Sequence, residues 1–107
     1  MRPYELWVAH MAWDGDSKRR PALVVSLHDG IISVYPITSK YDNKSERIKK
    51  KYFPIKDWKD ANLRKASYVD TNNIHELSVD AIDEAYVGRL SDSDKARFIK
   101  FLSKRSD

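Results

Sequence analysis

The apolar positions of this chain fall into short runs broken by turn-forming residues, with one longer stripe at helical spacing near the C-terminal end. Leu6–Met11 is rich in β-formers and predicts a first strand. Trp13-Asp14-Gly15-Asp16-Ser17 predicts a turn or loop. Ala22–Leu27 is almost wholly apolar, as expected of a strand buried on both faces. His28-Asp29-Gly30 is a hairpin signal, and Ile31–Thr38 is the returning strand. Pro36 cannot donate to a ladder, which points to an edge or a bulge there. Lys40–Lys51 is polar and predicts a long loop. Tyr52–Ile55, carrying Pro54, predicts a short edge strand. Asp57–Lys65 is compatible with one or two helical turns. Ser67–Asp70, Ile74–Leu77 and Tyr86–Leu90 predict further strands, with Asn72-Asn73 breaking the first from the second.

The helix begins after Ser91. Ser91 is a good N-cap and Asp94, three residues on, makes a pair of the capping-box kind. Asp92 and Asp94 place negative charge at the positive end of the helix dipole, and Lys104 and Arg105 place positive charge at its other end. Ala96, Phe98, Ile99, Phe101 and Leu102 supply a broad apolar stripe. Many short strands, few glycines and one terminal helix predict a mostly β fold, a small β-barrel with a C-terminal helix. That class alone does not fix a function.

Composition narrows the classes. The 107 residues fit one domain, taken as 1–107, with one real hydrophobic core. There is no cysteine, so disulfides, thiolate metal sites and a cysteine nucleophile are excluded. No charged stretch followed by an apolar one reads as a leader, and purely apolar runs such as Ala22–Val25 are too short for a bilayer. A cytosolic protein with no membrane partner is expected. His10, His28 and His75 show no ligand spacing and the carboxylates are scattered, so no metal and no cofactor are expected.

The net charge of +4 is unevenly distributed. Residues 40–65 carry ten basic and four acidic side chains, whereas residues 1–39 balance at four of each. Tyr41, Tyr52, Phe53 and Trp58 interleave with these cations, a combination that suits a polyanion with unpaired bases. A solvated basic loop is the alternative.

The hairpin places specific chemistry. A two-residue Asp29-Gly30 loop pairs His28 with Ile31 and sets Arg20 against Ser39. A three-residue loop pairs Leu27 with Ile31 and sets Arg20 directly against Thr38, with Cβ atoms about 4.5–5.5 Å apart. In either register Lys18-Arg19-Arg20 meets Thr38-Ser39-Lys40, a cluster of cations and hydroxyls able to bind phosphate. A solvated hairpin end is the alternative there.

Four segments carry a family resemblance. Arg20-Pro21-Ala22-Leu23-Val24-Val25-Ser26 resembles the R-P-x-[LV]-V-[LV]-S strand of the MazF/PemK toxins, and Pro36-Ile37-Thr38-Ser39 resembles their P-[IC]-T-[ST] segment. Leu63-Arg64-Lys65-Ala66-Ser67-Tyr68-Val69 is similar to the L-x-K-x-S-x-V stretch of short PemK-like members. Val87-Gly88-Arg89-Leu90-Ser91 is similar to the [IV]-G-x-[LV]-[ST] strand that leads into their final helix. The segments follow family order. Two departures are the short connection Trp13–Arg19, where many members have a longer loop that often covers the RNA groove, and Tyr4-Glu5 in place of Gly-Asp at the opening of strand one.

The resemblance implies an SH3-like barrel of the MazF/PemK/CcdB type that forms a homodimer and is held by a cognate antitoxin. It implies an endoribonuclease of the mRNA interferase type, cleaving single-stranded RNA without a metal, with Arg20 and Thr38 as catalytic residues. Lys18, Arg19, Ser39, Lys40, Lys49, Lys50 and Lys51 are the expected substrate-binding residues. Two other readings remain open: a non-catalytic barrel that binds a protein, as the gyrase-poisoning CcdB relatives do, and a plain RNA-binding module.

Overall fold

The computed structural model describes residues 1–13 and 16–104, with the side chains of 12, 13, 16–18, 83 and 84 outside the description. The strands are β1 (Glu5–Trp13), β2 (Asp16–His28), β3 (Ile31–Thr38), β4 (Tyr52–Ile55), β5 (Ser67–Asp70), β6 (His75–Ser78) and β7 (Ile82–Arg89). Two helices, α1 (Glu46–Lys49) and α2 (Asp92–Ser103), and a short 3-10 turn at Val79–Ala81 complete the described elements. The seven strands form one antiparallel sheet in the order β4-β5-β3-β2-β1-β7, with β6 added to β3. Among the described residues no ladder joins β4 to β7, so the expected mostly β architecture is present as an open, barrel-like sheet.

The central hairpin uses parts of both expected registers. Asp29 and Gly30 have φ of 51° and 77°, the left-handed pair that a two-residue turn of the primed kind requires. His28 therefore faces Ile31, and Ser26 faces Ser33. A bulge at Val25 then shifts the ladder by one residue, so that Val24 faces Val34 and Ala22 faces Pro36. Two cores result, and β2 serves both. Leu23 joins Leu6, Ile37, Phe53, Val69 and Phe98, while Ala22 and Val24 join Ala9, Met11, Ile32 and Val34. The apolar run of β2 is thus buried on both faces.

Several boundaries differ from the expectations. The connection Trp13–Arg19 is not a loop, because β1 and β2 pair as far as Trp13 opposite Asp16. Asp14 and Gly15, at the middle of the expected turn, lie outside the described residues, as does Arg105 beyond α2. The expected long loop Lys40–Lys51 contains α1, whose N-cap Ser45 accepts a hydrogen bond from the Ile48 N–H at 3.3 Å. Asp57–Lys65 makes a single hydrogen-bonded turn. It closes with Asn62 in the left-handed region (φ 63°), the Leu63 N–H on the Trp58 carbonyl and the Asn62 N–H on the Lys59 carbonyl, which is a Schellman ending.

On α2 the apolar face is narrower than the stripe suggested. Phe98 is fully buried against Phe53, whereas Ile99 is 47% exposed and Ala96 is exposed. Asp94 is fully buried. Its carboxylate accepts from the backbone of Lys56 (3.3 Å) and Asp57 (2.8 Å) and from Arg97 Nη1 (2.6 Å). It therefore fastens α2 to the turn after β4 in addition to lying near the helix dipole. None of the described helices is long and apolar enough to cross a membrane.

Candidate functional site

β2, β3, β5, β7 and the Asn62–Lys65 turn converge on a groove of about 350 Å³. Arg20, Pro21, Ile37, Thr38 and Ser39 make its strand wall, and Asn62–Lys65, Ser67 and Val87 make the loop wall. Arg20 is not at a strand end. It sits inside β2, opposite Ala9 of β1, half-buried and with its Nε buried. In the post-bulge register Arg20 corresponds to Thr38, although the β2–β3 ladder itself ends at Ala22–Pro36 and β3 pairs with β5 from Ile37 on. The bulge at Val25 is what converts the two-residue turn into that alignment. Thr38, 4% exposed, faces Tyr68 on β5. Its Oγ1 accepts from the Lys40 N–H at 3.0 Å, which leaves its hydroxyl hydrogen to donate.

The other expected site residues separate into groups. Ser39 lines the groove. Lys40 does not line it, but its backbone holds the Thr38 hydroxyl. Arg19, adjacent to Arg20 on a strand and so on the other face, pairs with His10 and does not line it. The Lys18 side chain lies outside the described residues. Lys49, Lys50 and Lys51 do not line the groove. Lys49 lies 4.9 Å from the Tyr41 ring centroid and 3.7 Å from Glu46, so it helps hold α1 in place.

The interleaved aromatic residues serve the fold. Phe53 and Tyr52 are buried, and Trp58 packs on the first core. Tyr41 stacks on Tyr68 at 4.2 Å and 9°. The cations that do reach the groove beside Arg20 are Arg64 and Lys65, which the charge distribution along the chain does not single out. The signal for them was the Leu63-Arg64-Lys65-Ala66-Ser67 segment. Among the described residues no cluster of three or more His, Cys, Asp or Glu side chains is placed to hold a metal.

The loop wall is fixed to β7 by backbone contact. A Cβ at Gly88 would lie 2.4 Å from the Ala61 carbonyl oxygen, so glycine is required for this approach. Next to it, Asn62 Nδ2 donates to the Val87 carbonyl at 2.9 Å. The Val87-Gly88 pair therefore sets the width of the groove.

Comparison with known proteins adds the family. A comparison with curated proteins finds no match. Among solved structures, the Mycobacterium tuberculosis toxin MazF-mt6 is similar at TM-score 0.69 and 21% identity, covering 96% of this chain and 94% of its own. An endoribonuclease in complex with its cognate antitoxin, from a mycobacterial species, is similar at TM-score 0.68 and 14% identity, covering 97% of this chain and 90% of its own. These two likenesses establish a shared fold. The family described as PemK-like, MazF-like toxins of type II toxin–antitoxin systems matches residues 2–102, and the chain belongs to that family.

Proposed function

We propose that this toxin is an endoribonuclease that cleaves single-stranded RNA, mRNA in the cell, by attack of the ribose 2′-OH on the adjacent phosphorus. The observation that carries the reading is the groove lined jointly by Arg20, Thr38, Arg64 and Lys65. RNA supplies its own nucleophile, so the reaction calls for neither a protein nucleophile nor a metal-activated water. What it requires is a phosphate held in line and donors aimed at the charge that develops on phosphorus. Arg20 suits the second task, because the planar fork of a guanidinium matches phosphoryl oxygens. Thr38 donates its remaining hydroxyl hydrogen to a phosphate oxygen. Arg64 and Lys65 hold the neighbouring backbone charge. The 2′-oxygen bonds to phosphorus, the bond from phosphorus to O5′ breaks, and the 2′-OH proton is balanced by one delivered to O5′.

The reading extends to partners. The mycobacterial structure with its cognate antitoxin supports an antitoxin partner here, and the same reading takes the toxin as a cytoplasmic homodimer. A basic groove that takes RNA also attracts an acidic or disordered chain carrying apolar anchors.

The test is digestion of single-stranded RNA by the purified protein in EDTA. The expected products end in a 2′,3′-cyclic phosphate upstream and a 5′-OH downstream. Cleavage only on adding a divalent ion, or products with a 5′-phosphate, would overturn the mechanism. Intact RNA would favour the protein-binding reading.

A further inference from the structure

Both walls of the groove carry cations, Arg20 on one and Arg64 and Lys65 on the other, but the loop wall adds oriented acceptors. The strand wall donates, through the Arg20 guanidinium and the Thr38 hydroxyl. The loop wall carries two oxygens whose orientation is fixed. Asn62 Nδ2 donates to the Val87 carbonyl, and only the nitrogen end of an amide can do so. Oδ1 therefore points the other way and, among the described residues, accepts no hydrogen bond. The Ser67 hydroxyl donates to the Lys65 carbonyl at 2.8 Å, so its Oγ is left with lone pairs only. Ser67 is 7% exposed, and both residues line the groove. Pro21, Leu63 and Val87 add apolar surface between them.

A phosphate is met by the cations of both walls but brings no donor to the two fixed acceptors. A nucleobase fits both features, since its faces are apolar and its edge is polar. We infer that the loop wall selects the base beside the cleaved phosphate, with Asn62 Oδ1 and Ser67 Oγ accepting from an exocyclic amino group. Adenine, cytosine and guanine carry that group. Uracil presents a single N–H flanked by two carbonyl oxygens, which the paired acceptors repel. The backbone contact at Gly88 keeps the acceptors fixed, as discrimination requires.

This inference rests on the ribonuclease reading, and the experiment separates the two. A random-sequence RNA library is cut by wild type, Ser67→Ala and Asn62→Gly, and the fragment ends are sequenced. Glycine accepts the left-handed backbone at position 62, so that variant keeps the turn even if Ser67→Ala does not fold, which melting curves reveal. Wild type is expected to favour amino-bearing bases over uracil at one position beside the cut. Each variant, normalised to its own total cleavage, is expected to lose roughly 3- to 10-fold of that preference, the range for one neutral hydrogen bond. A wild type that cuts without this preference, or variants that retain it in full, overturns the inference and leaves the ribonuclease reading standing. A library left intact by wild type overturns both.

Discussion

Two parts of this molecule are rich in cations, and they are built differently. Residues 40–51 carry most of the charge that draws the eye in the sequence. There Lys50 and Lys51 are exposed, and Lys49 is held under Tyr41 beside α1. The groove has fewer cations. Its Arg20 is embedded in a strand between two neighbours, its Thr38 is buried, and its loop wall is pressed against β7. Exposed charge attracts a polyanion from a distance and is screened by salt. Charge held by the fold, facing a fixed hydroxyl, can stabilise one transition state. On the proposed function, the first kind would govern affinity and the second would govern rate.

That division can be broken at graded cost. The largest effect concerns the substrate. Replacing the ribose beside the cleaved phosphate with 2′-deoxyribose should reduce cleavage below detection while leaving binding within a few-fold, as a gel assay and a filter assay would show. Residual cutting at that site would remove the groove's assigned chemistry.

The next effect is on stability. Asp94→Ala leaves two backbone N–H groups and Arg97 without their carboxylate, and should cost about 2–3 kcal/mol. Calorimetry should then show melting lowered by roughly 10 °C. An unchanged midpoint would mean that α2 docks through its apolar side chains, Phe98, Phe101 and Leu102, alone.

Thr38→Val keeps the shape and removes the hydroxyl. It should slow cleavage by about 10-fold, in line with one hydrogen bond to a charged group. An equal loss of RNA affinity would assign Thr38 to binding instead. The smallest effect belongs to the basic segment. Changing Lys49, Lys50 and Lys51 together to alanine should weaken RNA binding and flatten its dependence on salt, by roughly 0.7 in logarithmic slope for each phosphate that is no longer neutralised. The cleavage rate at saturating protein should not change.

Much of the frame was legible in the sequence because local patterns carried it. The β2–β3 hairpin followed from Asp29-Gly30, and the start of α2 from Ser91 and Asp94. The bulge at Val25 was not legible, since nothing in an unbroken apolar run marks the position where a ladder slips. Without it the two-residue turn would have set Arg20 against Ser39. α1 was hidden because its four residues have no buried face to give a helical period. Arg64 and Lys65 were visible as charges, but their place in the groove depends on Gly88 and Asn62, which are distant from each other in sequence. The burial of Asp94 likewise depends on backbone groups 37 and 38 positions away.

On the proposed function the groove, and not the basic segment, performs the chemistry. Single-turnover cleavage in EDTA, at protein concentrations that saturate the RNA, tests it in Arg20→Ala with the triple lysine variant as control. Because Arg20 is half-buried, melting of the variant is measured alongside. A folded Arg20→Ala protein is expected to cut roughly 10²–10³-fold more slowly, the scale for removing one preorganised charge stabiliser, while the lysine variant cuts at the wild-type rate. A folded Arg20→Ala protein that cuts as fast as wild type would place the chemistry outside the groove.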